Sequence, residues 1–178
     1  MDIVNALYQH IEREHLWEKS ISLRRDAFLS VAGVVETNLF YICSGSLKIS
    51  VIDERDEHII RFGYRDNFIM ALDSFISEKP SEFYIQAIKK TELKIISKQN
   101  YLRFIHADDE RKTLWDIALQ QLLLQQLDRE IDLLTISPKE RYLRVLRRSP
   151  QLFQEIPNKY IASYLRMSPE TLSRLKKY

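Results

Sequence analysis

Hydrophobic and polar residues alternate with a two-residue period through the middle of the chain, between about residues 27 and 102. Leu47, Ile49 and Val51, for example, alternate with a lysine and a serine. Short segments of this kind, rich in β-branched and aromatic residues, are typical of an antiparallel sandwich or barrel. The predicted strands are residues 28–35, 39–52, 58–62, 68–72, 83–88 and 93–96. All three glycines of the chain lie here, each predicted to serve a turn or bend with an unusual φ: Gly33, Gly45 and Gly63.

The hydrophobic period becomes helical on both sides of this region. Residues 2–16 predict an amphipathic helix, and residues 108–135 predict the longest helix of the chain. The long segment carries an apolar stripe at spacings of three and four, with further apolar residues outside it. The stripe is Leu119, Leu122, Leu123, Leu127, Ile131 and Leu134, and the residues outside it are Ile117, Leu124 and Leu133.

A helix that is apolar on more than one face needs more than one partner. We therefore expect residues 108–135 to pack against the β-region and also against the same helix of a second subunit. The predicted homodimer interface is Leu119, Leu123, Leu127 and Ile131. The alternative is that a single chain buries both faces.

Two short helical segments meet near the C-terminus at a three-residue joint. In the first, Ile161, Ala162 and Leu165 share one face after Pro157. The second begins at Ser168, because the sequence Ser-Pro-Glu supplies an N-cap, a proline suited to the first turn and a favourable acid. Such an arrangement is typical of a helix-turn-helix, whose second helix enters the DNA major groove. The alternative is a pair of packed surface helices with solvated charges.

A further helix is predicted to begin at Ser137, where Ser-Pro-Lys-Glu forms a capping box. Ser137 is also the natural domain boundary. The predicted fold is α+β: an antiparallel β sandwich or barrel, a long dimerisation helix and a small helix-turn-helix domain. The predicted domains are residues 1–107, 108–136 and 137–178.

Charge is distributed unevenly between the two ends of the chain. Residues 138–178 contain ten Lys or Arg against three acids, whereas the whole chain of 178 residues has a net charge of only +2. A basic end on an acidic body is the electrostatic pattern expected of a nucleic-acid-binding module.

Other functional classes lack the residues they require. The single cysteine, Cys43, cannot form a disulfide within the chain or hold a structural metal alone. The four histidines are scattered at positions 10, 15, 58 and 106, without the cluster that a cupin-type metalloenzyme uses. No nucleophile motif or glycine-rich phosphate loop is present. We therefore expect a cytoplasmic protein that is not an enzyme, has no metal, cofactor or membrane span, and binds double-stranded DNA.

The segment KYIASYLRMSPETLSRLKK resembles the C-terminal motif of the Crp/Fnr family of bacterial transcription regulators. The matching positions are Ile161, Ala162, Leu165, Ser168, Glu170, Thr171, Leu172 and Arg174. Gly33 and Gly45 resemble the paired turn glycines of the family, and SPKERYLRVL resembles its segment leading into the DNA-binding domain. The resemblance implies a jelly roll like that of cyclic-nucleotide-binding domains, a dimerising helix and a helix-turn-helix.

Two departures from the family pattern change what the resemblance implies. Arg166 stands at the turn glycine, where a left-handed conformation costs a non-glycine residue about 1 kcal/mol. Met70-Ala71 and Ser81-Glu82 stand where the family's cyclic-nucleotide binders have Gly-Glu and Arg-Ser. A phosphate needs a cationic donor that this cassette lacks, so we do not expect cyclic AMP to bind. Any other effector would use the pocket of Met70, Ala71, Leu72, Ser81 and Glu82.

The predicted DNA contacts follow from the position of the second helix in the motif. The residues expected to contact bases are Pro169, Glu170, Thr171 and Arg174, and those expected to contact phosphates are Lys159, Ser168, Ser173, Lys176 and Lys177. The alternative for Glu170 and Arg174 is a surface ion pair four residues apart. For the whole chain, the alternative to a DNA-binding regulator is a small-molecule-binding or scaffold protein with a vestigial DNA-binding tail.

Overall fold

The computed structural model describes residues 3–54 and 56–177. In this part of the chain, eight strands form two four-stranded antiparallel sheets, with strand orders β1-β8-β3-β6 and β2-β7-β4-β5. The strands are β1 (Lys19–Leu23), β2 (Phe28–Ser30), β3 (Leu39–Ser44), β4 (Ser46–Asp53), β5 (Asp56–Tyr64), β6 (Phe68–Ile69), β7 (Tyr84–Ala87) and β8 (Thr91–Ile96). The facing sheets enclose an apolar core, as predicted for a jelly roll.

Two glycines explain where the predicted strand 39–52 is divided into β3 and β4 and where β5 packs closely against β3. Gly45 has a φ of +93° and separates β3 from β4. A Cβ there would meet the Lys90 carbonyl oxygen and the Thr91 hydroxyl group. Gly63 does not have the unusual φ that we predicted. It lies within β5, where a Cβ would come within 2.7 Å of the Ile42 side chain.

The pattern missed one strand and overestimated two others. β1 was missed because its sequence, KSISL, is mostly polar and mostly exposed. Only residues 28–30 of the predicted strand 28–35 are extended in a sheet. Beyond them, Gly33 and Val34 exchange backbone hydrogen bonds with Ser81. The predicted strand 68–72 ends at Ile69, because a short helix begins at Leu72.

The helices are α1 (Ile3–Arg13), α2 (Leu72–Ser77), α3 (Lys98–His106), α4 (Asp109–Leu134), α5 (Pro138–Arg148), α6 (Leu152–Glu155), α7 (Asn158–Tyr164) and α8 (Pro169–Leu175). The N-caps of α5 and α8, Ser137 and Ser168, each accept a backbone hydrogen bond, as predicted, and Asp108 does the same at the start of α4. Asp2 of the predicted helix 2–16, and Tyr178 at the C-terminus, lie outside the described residues.

Three apolar clusters hold these elements together. The first joins α1, α3 and α4 through Leu7, Tyr101 and Leu114, and the second fills the jelly roll. The third is the core of the C-terminal helices, and it continues into the roll through Ile88 and Phe62. The C-terminal helices are therefore packed directly on the outside of the β-region.

Candidate functional site

The α7–α8 pair is formed by the residues that predicted it. Ile161, Ala162, Leu165 and Leu172 are all buried where the two helices meet. Arg166 lies in the turn with a φ of +51°, so it adopts the left-handed conformation that the family's glycine would favour. The turn is closed by a hydrogen bond from the Met167 N–H to the Ala162 carbonyl oxygen at 3.0 Å.

Most of the predicted DNA-contacting residues lie on an exposed surface around α8. Exposed side chains are Lys159, Ser168, Pro169, Glu170, Ser173, Arg174, Lys176 and Lys177, and Thr171 is half-buried. Ser168 is already engaged, since its Oγ accepts the Thr171 N–H at 3.2 Å. Lys176 Nζ donates to the Asn158 side chain at 2.6 Å.

Glu170 and Arg174 do not form the surface ion pair that was the alternative to base contact. Within the described residues, no N–O distance of 4 Å or less joins them. The pKa of Glu170 is lowered chiefly by its own backbone N–H and by the Ser168 side chain, and Arg174 contributes least. Both side chains are therefore exposed and are not paired with each other.

Three arginines of the basic segment are used inside the protein and not at this surface. Asp132 of α4 is fully buried and forms ion pairs with Arg144 at 2.9 Å and Arg148 at 2.5 Å. Arg141 is 8% exposed and donates to the carbonyl oxygens of Thr135 and Arg166. The positive charge available to a ligand is therefore smaller than the sequence count, and it is concentrated at the end of the chain.

The long helix holds the α7–α8 turn through a second arginine contact. Arg129 Nη2 donates to the carbonyl oxygen of Tyr164 at 2.6 Å, and its guanidinium lies 3.6 Å from the centre of the Tyr164 ring. Arg141 of α5 also donates to the carbonyl oxygen of Arg166. Arginines of α4 and α5 therefore hydrogen-bond the backbone on both sides of Leu165 in the turn.

The predicted dimer residues are divided between two faces of α4. Leu123, Leu127 and Ile131 are 61%, 47% and 50% exposed. Leu119 is instead half-buried and lines a cavity between α4 and the β-region. Leu124 and Leu134 extend the exposed apolar face. The described chain by itself does not bury this face, contrary to the single-chain alternative.

The predicted effector pocket is occupied by the protein's own carboxylate. Asp73 Oδ1 accepts hydrogen bonds from Ser81 Oγ and the Ser74 N–H, and its Oδ2 accepts the Glu82 N–H, each at 2.8 Å. Ala71 and Ser81 are buried, and Met70 lines the separate cavity beside α4. The structure therefore brings Ser81 and Glu82 together around Asp73. Sequence reasoning missed Asp73, whose partners lie eight and nine residues away across a loop.

Sequence reasoning also missed the cavity, since residues from distant segments form it. It has a volume of about 340 Å³ and is lined by α1, β5, α4 and the C-terminal helices. The polar lining residues are Arg61, Tyr64, Asn67, Gln121, Gln125, Gln126, Arg129, Arg148, Ser149 and Tyr164.

No metal site or membrane span is found in the described part of the chain. Among residues 3–54 and 56–177, no three His, Cys, Asp or Glu side chains lie together as metal ligands would. None of the helices described there is long and apolar enough to cross a bilayer. Cys43 is half-buried, and burial raises the pKa of its thiol.

Comparison with solved structures identifies the fold. FixK2 from Bradyrhizobium japonicum has a TM-score of 0.72 at 15% identity, covering 89% of this chain and 82% of that one. CLP, the c-di-GMP-responsive global regulator of Xanthomonas campestris, has a TM-score of 0.69 at 17% identity, and the match covers 96% of this chain and 90% of CLP. The Thermus thermophilus catabolite activator protein has a TM-score of 0.56 at 19% identity, and the match covers 99% of this chain and 81% of that protein.

The chain therefore has the fold of Crp/Fnr regulators, as its C-terminal motif predicted. The common architecture is the cyclic-nucleotide-binding type of jelly roll followed by a long helix and small helices. No protein-family model and no curated protein matches the sequence.

Proposed function

We propose that this protein is a dimeric, DNA-binding transcription regulator of the Crp/Fnr type. The observation that carries the proposal is the exposed polar face of α8, on a fold shared with solved regulators. Glu170 and Arg174 are four residues apart on this helix and unpaired with each other within the described chain. A carboxylate can accept from cytosine N4, and a guanidinium can donate to guanine O6 and N7. The expected location is the cytoplasm, where the DNA is.

The proposed dimer forms through the exposed apolar face of α4. Leu123, Leu127 and Ile131 recur at a spacing of four, so they follow one edge of the helix. A two-fold axis through this face would relate the two α8 helices by symmetry. The operator would then be a near-palindrome with half-sites about 10 bp apart, or a multiple of that.

The proposed regulator does not use cyclic AMP. The support is the Asp73 carboxylate, which already accepts hydrogen bonds from the Ser81 hydroxyl group and the Glu82 N–H. A phosphate would need these same donors. A second acid, Glu82, lies in the same loop and would repel a phosphate.

A selection of DNA fragments from a random library tests the proposal directly. The purified chain is expected to enrich a near-palindromic sequence, and to bind it at least a hundredfold more tightly than scrambled DNA at physiological salt. Equal affinity for selected and scrambled DNA would contradict sequence-specific recognition. It would favour the second candidate, a small-molecule-binding protein with a vestigial DNA-binding tail, which the 340 Å³ cavity supports.

A further inference from the structure

The cavity beside α4 contains unbalanced positive charge. Its volume of about 340 Å³ lies within the range of small-molecule sites. Three arginines line it, Arg61, Arg129 and Arg148, and no aspartate or glutamate is among the described lining residues. A cleft lined by one sign of charge concentrates ligands of the opposite sign.

Two of these arginines form no ion pair with an acid in the described chain. Arg129 is 6% exposed, and its Nη1 has no hydrogen-bond partner there. The Arg61 backbone is paired with Ile49 in the sheet, but its side chain has no hydrogen-bond or ion-pair partner within the described residues. Burial lowers the pKa of both guanidinium groups. Tyr164 opposes this change in each case, and the Asp132 carboxylate also opposes it at Arg129. Arg148 differs, since it is paired with Asp132. Arg129 is buried and Arg61 is half-buried, and Asp132, the carboxylate that acts on Arg129, is shared with Arg144 and Arg148. An anion beside Arg61 and Arg129 would therefore stabilise the protein.

The opposite end of the cavity is apolar. Trp115, Ala118, Leu119 and Leu122 line it from α4, and Ile3 and Leu7 line it from α1. Arg129 follows Trp115 by fourteen positions, or about 21 Å along a helix. The Gln121, Gln125 and Gln126 side chains lie between the two ends. The cavity therefore has the polarity of a molecule with an apolar body and a charged head.

We propose that this cavity binds an amphipathic organic anion, whose acidic head contacts Arg61 and Arg129 and whose apolar body lies along Trp115 and Leu119. Guanidinium groups bind carboxylates and phosphates through paired, charge-assisted hydrogen bonds. The site is separate from the loop closed by Asp73. Of the residues predicted for an effector pocket, only Met70 lines this cavity.

The position of the cavity connects ligand binding to the DNA-binding helices, an inference that rests on the proposed function. Tyr164 is the last residue of α7, and Arg129 contacts both its ring and its carbonyl oxygen. Val145, Arg148, Ser149 and Leu152 line the same cavity from the C-terminal helices. An anion at Arg129 would compete with or reorient its contact with Tyr164, and so change how α7 and α8 are held on the β-region.

Calorimetry on the full chain tests binding with four probes that separate the two ends of the ligand. Octanoate and octyl phosphate carry both a body and an acidic head, octanol carries the body alone, and inorganic phosphate carries the charge alone. We expect saturable binding of octanoate or octyl phosphate with one site per chain, and at least tenfold weaker binding of octanol and phosphate. Comparing the first two probes distinguishes a carboxylate from a phosphate ligand. Saturable binding of neither would overturn the proposal.

Matched variants locate the site. Arg61→Gln and Arg129→Gln should each weaken binding of the acidic probe at least tenfold, whereas Arg103→Gln, at an exposed arginine of α3 outside the cavity, should not. Circular dichroism checks that each variant folds. If Arg129→Gln does not fold, Arg61→Gln alone still tests the site. Unchanged affinity in a folded Arg61→Gln variant would show that the anion binds elsewhere.

Repeating the DNA titration with the acidic probe present separates the two proposals. A change in DNA affinity of at least threefold supports the coupling through Tyr164. Probe binding without any such change would overturn the coupling. Probe binding by a protein that recognises no DNA sequence would overturn the proposed function and support the anion site.

Discussion

Asp132 and Arg148 form an ion pair of 2.5 Å between the long helix and α5, and the Asp132 side chain is fully buried. The same carboxylate accepts from Arg144 at 2.9 Å. Two basic residues that the sequence assigned to a nucleic-acid surface are thus part of the internal connection between α4 and the C-terminal helices.

Replacing Asp132 by Ala should therefore destabilise the protein strongly. The change leaves Arg148 without its counter-charge and Arg144 with only the longer contact to Asp128, and removing one partner of a buried pair costs about 3–5 kcal/mol. Urea unfolding measures the loss. Asp128→Ala is the matched control, because Asp128 is 44% exposed and 3.8 Å from Arg144. Equal losses for the two variants would show that the buried pair does not stabilise the fold.

The double variant Leu123→Glu with Leu127→Glu should be a folded monomer. Both side chains are largely exposed in the single chain, so charge there disrupts an interface without disturbing the core. Light scattering gives the mass and circular dichroism gives the fold. Ile76→Glu is the control, since Ile76 is 68% exposed on α2 and does not belong to the exposed apolar face of α4. A dimeric double variant would place the interface elsewhere.

Arg174→Ala and Lys176→Ala should affect DNA binding differently. Arg174→Ala removes a base contact and should cost roughly 1–3 kcal/mol on the selected site, with relaxed specificity. Lys176→Ala should weaken binding to all sequences alike and reduce the salt dependence. Titrations on selected and scrambled DNA at two salt concentrations separate the effects. Equal losses on both DNAs for Arg174→Ala would assign this helix to the phosphate backbone.

Arg166→Gly should stabilise the protein, by about 0.5–1 kcal/mol. Glycine relieves the left-handed strain, and its greater freedom in the unfolded chain offsets part of the gain. The Arg166 carbonyl oxygen still accepts from Arg141. In urea unfolding, the contrasting variant is Arg103→Gly in α3, which should lose about 1 kcal/mol because it lies in a right-handed helix. A loss at Arg166 would mean that its side chain outweighs the strain.

Cyclic AMP should show no micromolar binding by calorimetry. The Asp73 carboxylate already accepts from Ser81 and Glu82, and it would repel the cyclic phosphate. A micromolar dissociation constant would contradict this expectation. Repeating the titration with Lys79→Ala would then show whether the exposed lysine of the same loop holds the phosphate.

The sequence by itself determined the features that depend on neighbouring residues. Helix starts at Ser137 and Ser168 follow from caps, which need only a side chain and a backbone N–H three residues later. The turn at Arg166 could be predicted because two short amphipathic helices must be joined there. The alternation of apolar residues, which is also a local pattern, predicted most strands. It missed β1, because the few apolar residues of that strand give little signal.

Only the tertiary structure decided which charged groups face each other. A local pattern cannot show that Asp132 takes up Arg144 and Arg148, that Asp73 closes the loop at Ser81, or that Arg61 lies in the same cavity as Arg129. These outcomes depend on segments brought together by burial of apolar surface, since charges inside a protein are stable only beside a suitable partner. The sequence therefore predicted the fold and the exposed helix, and the three-dimensional packing decided which arginines are enclosed and which remain at the surface.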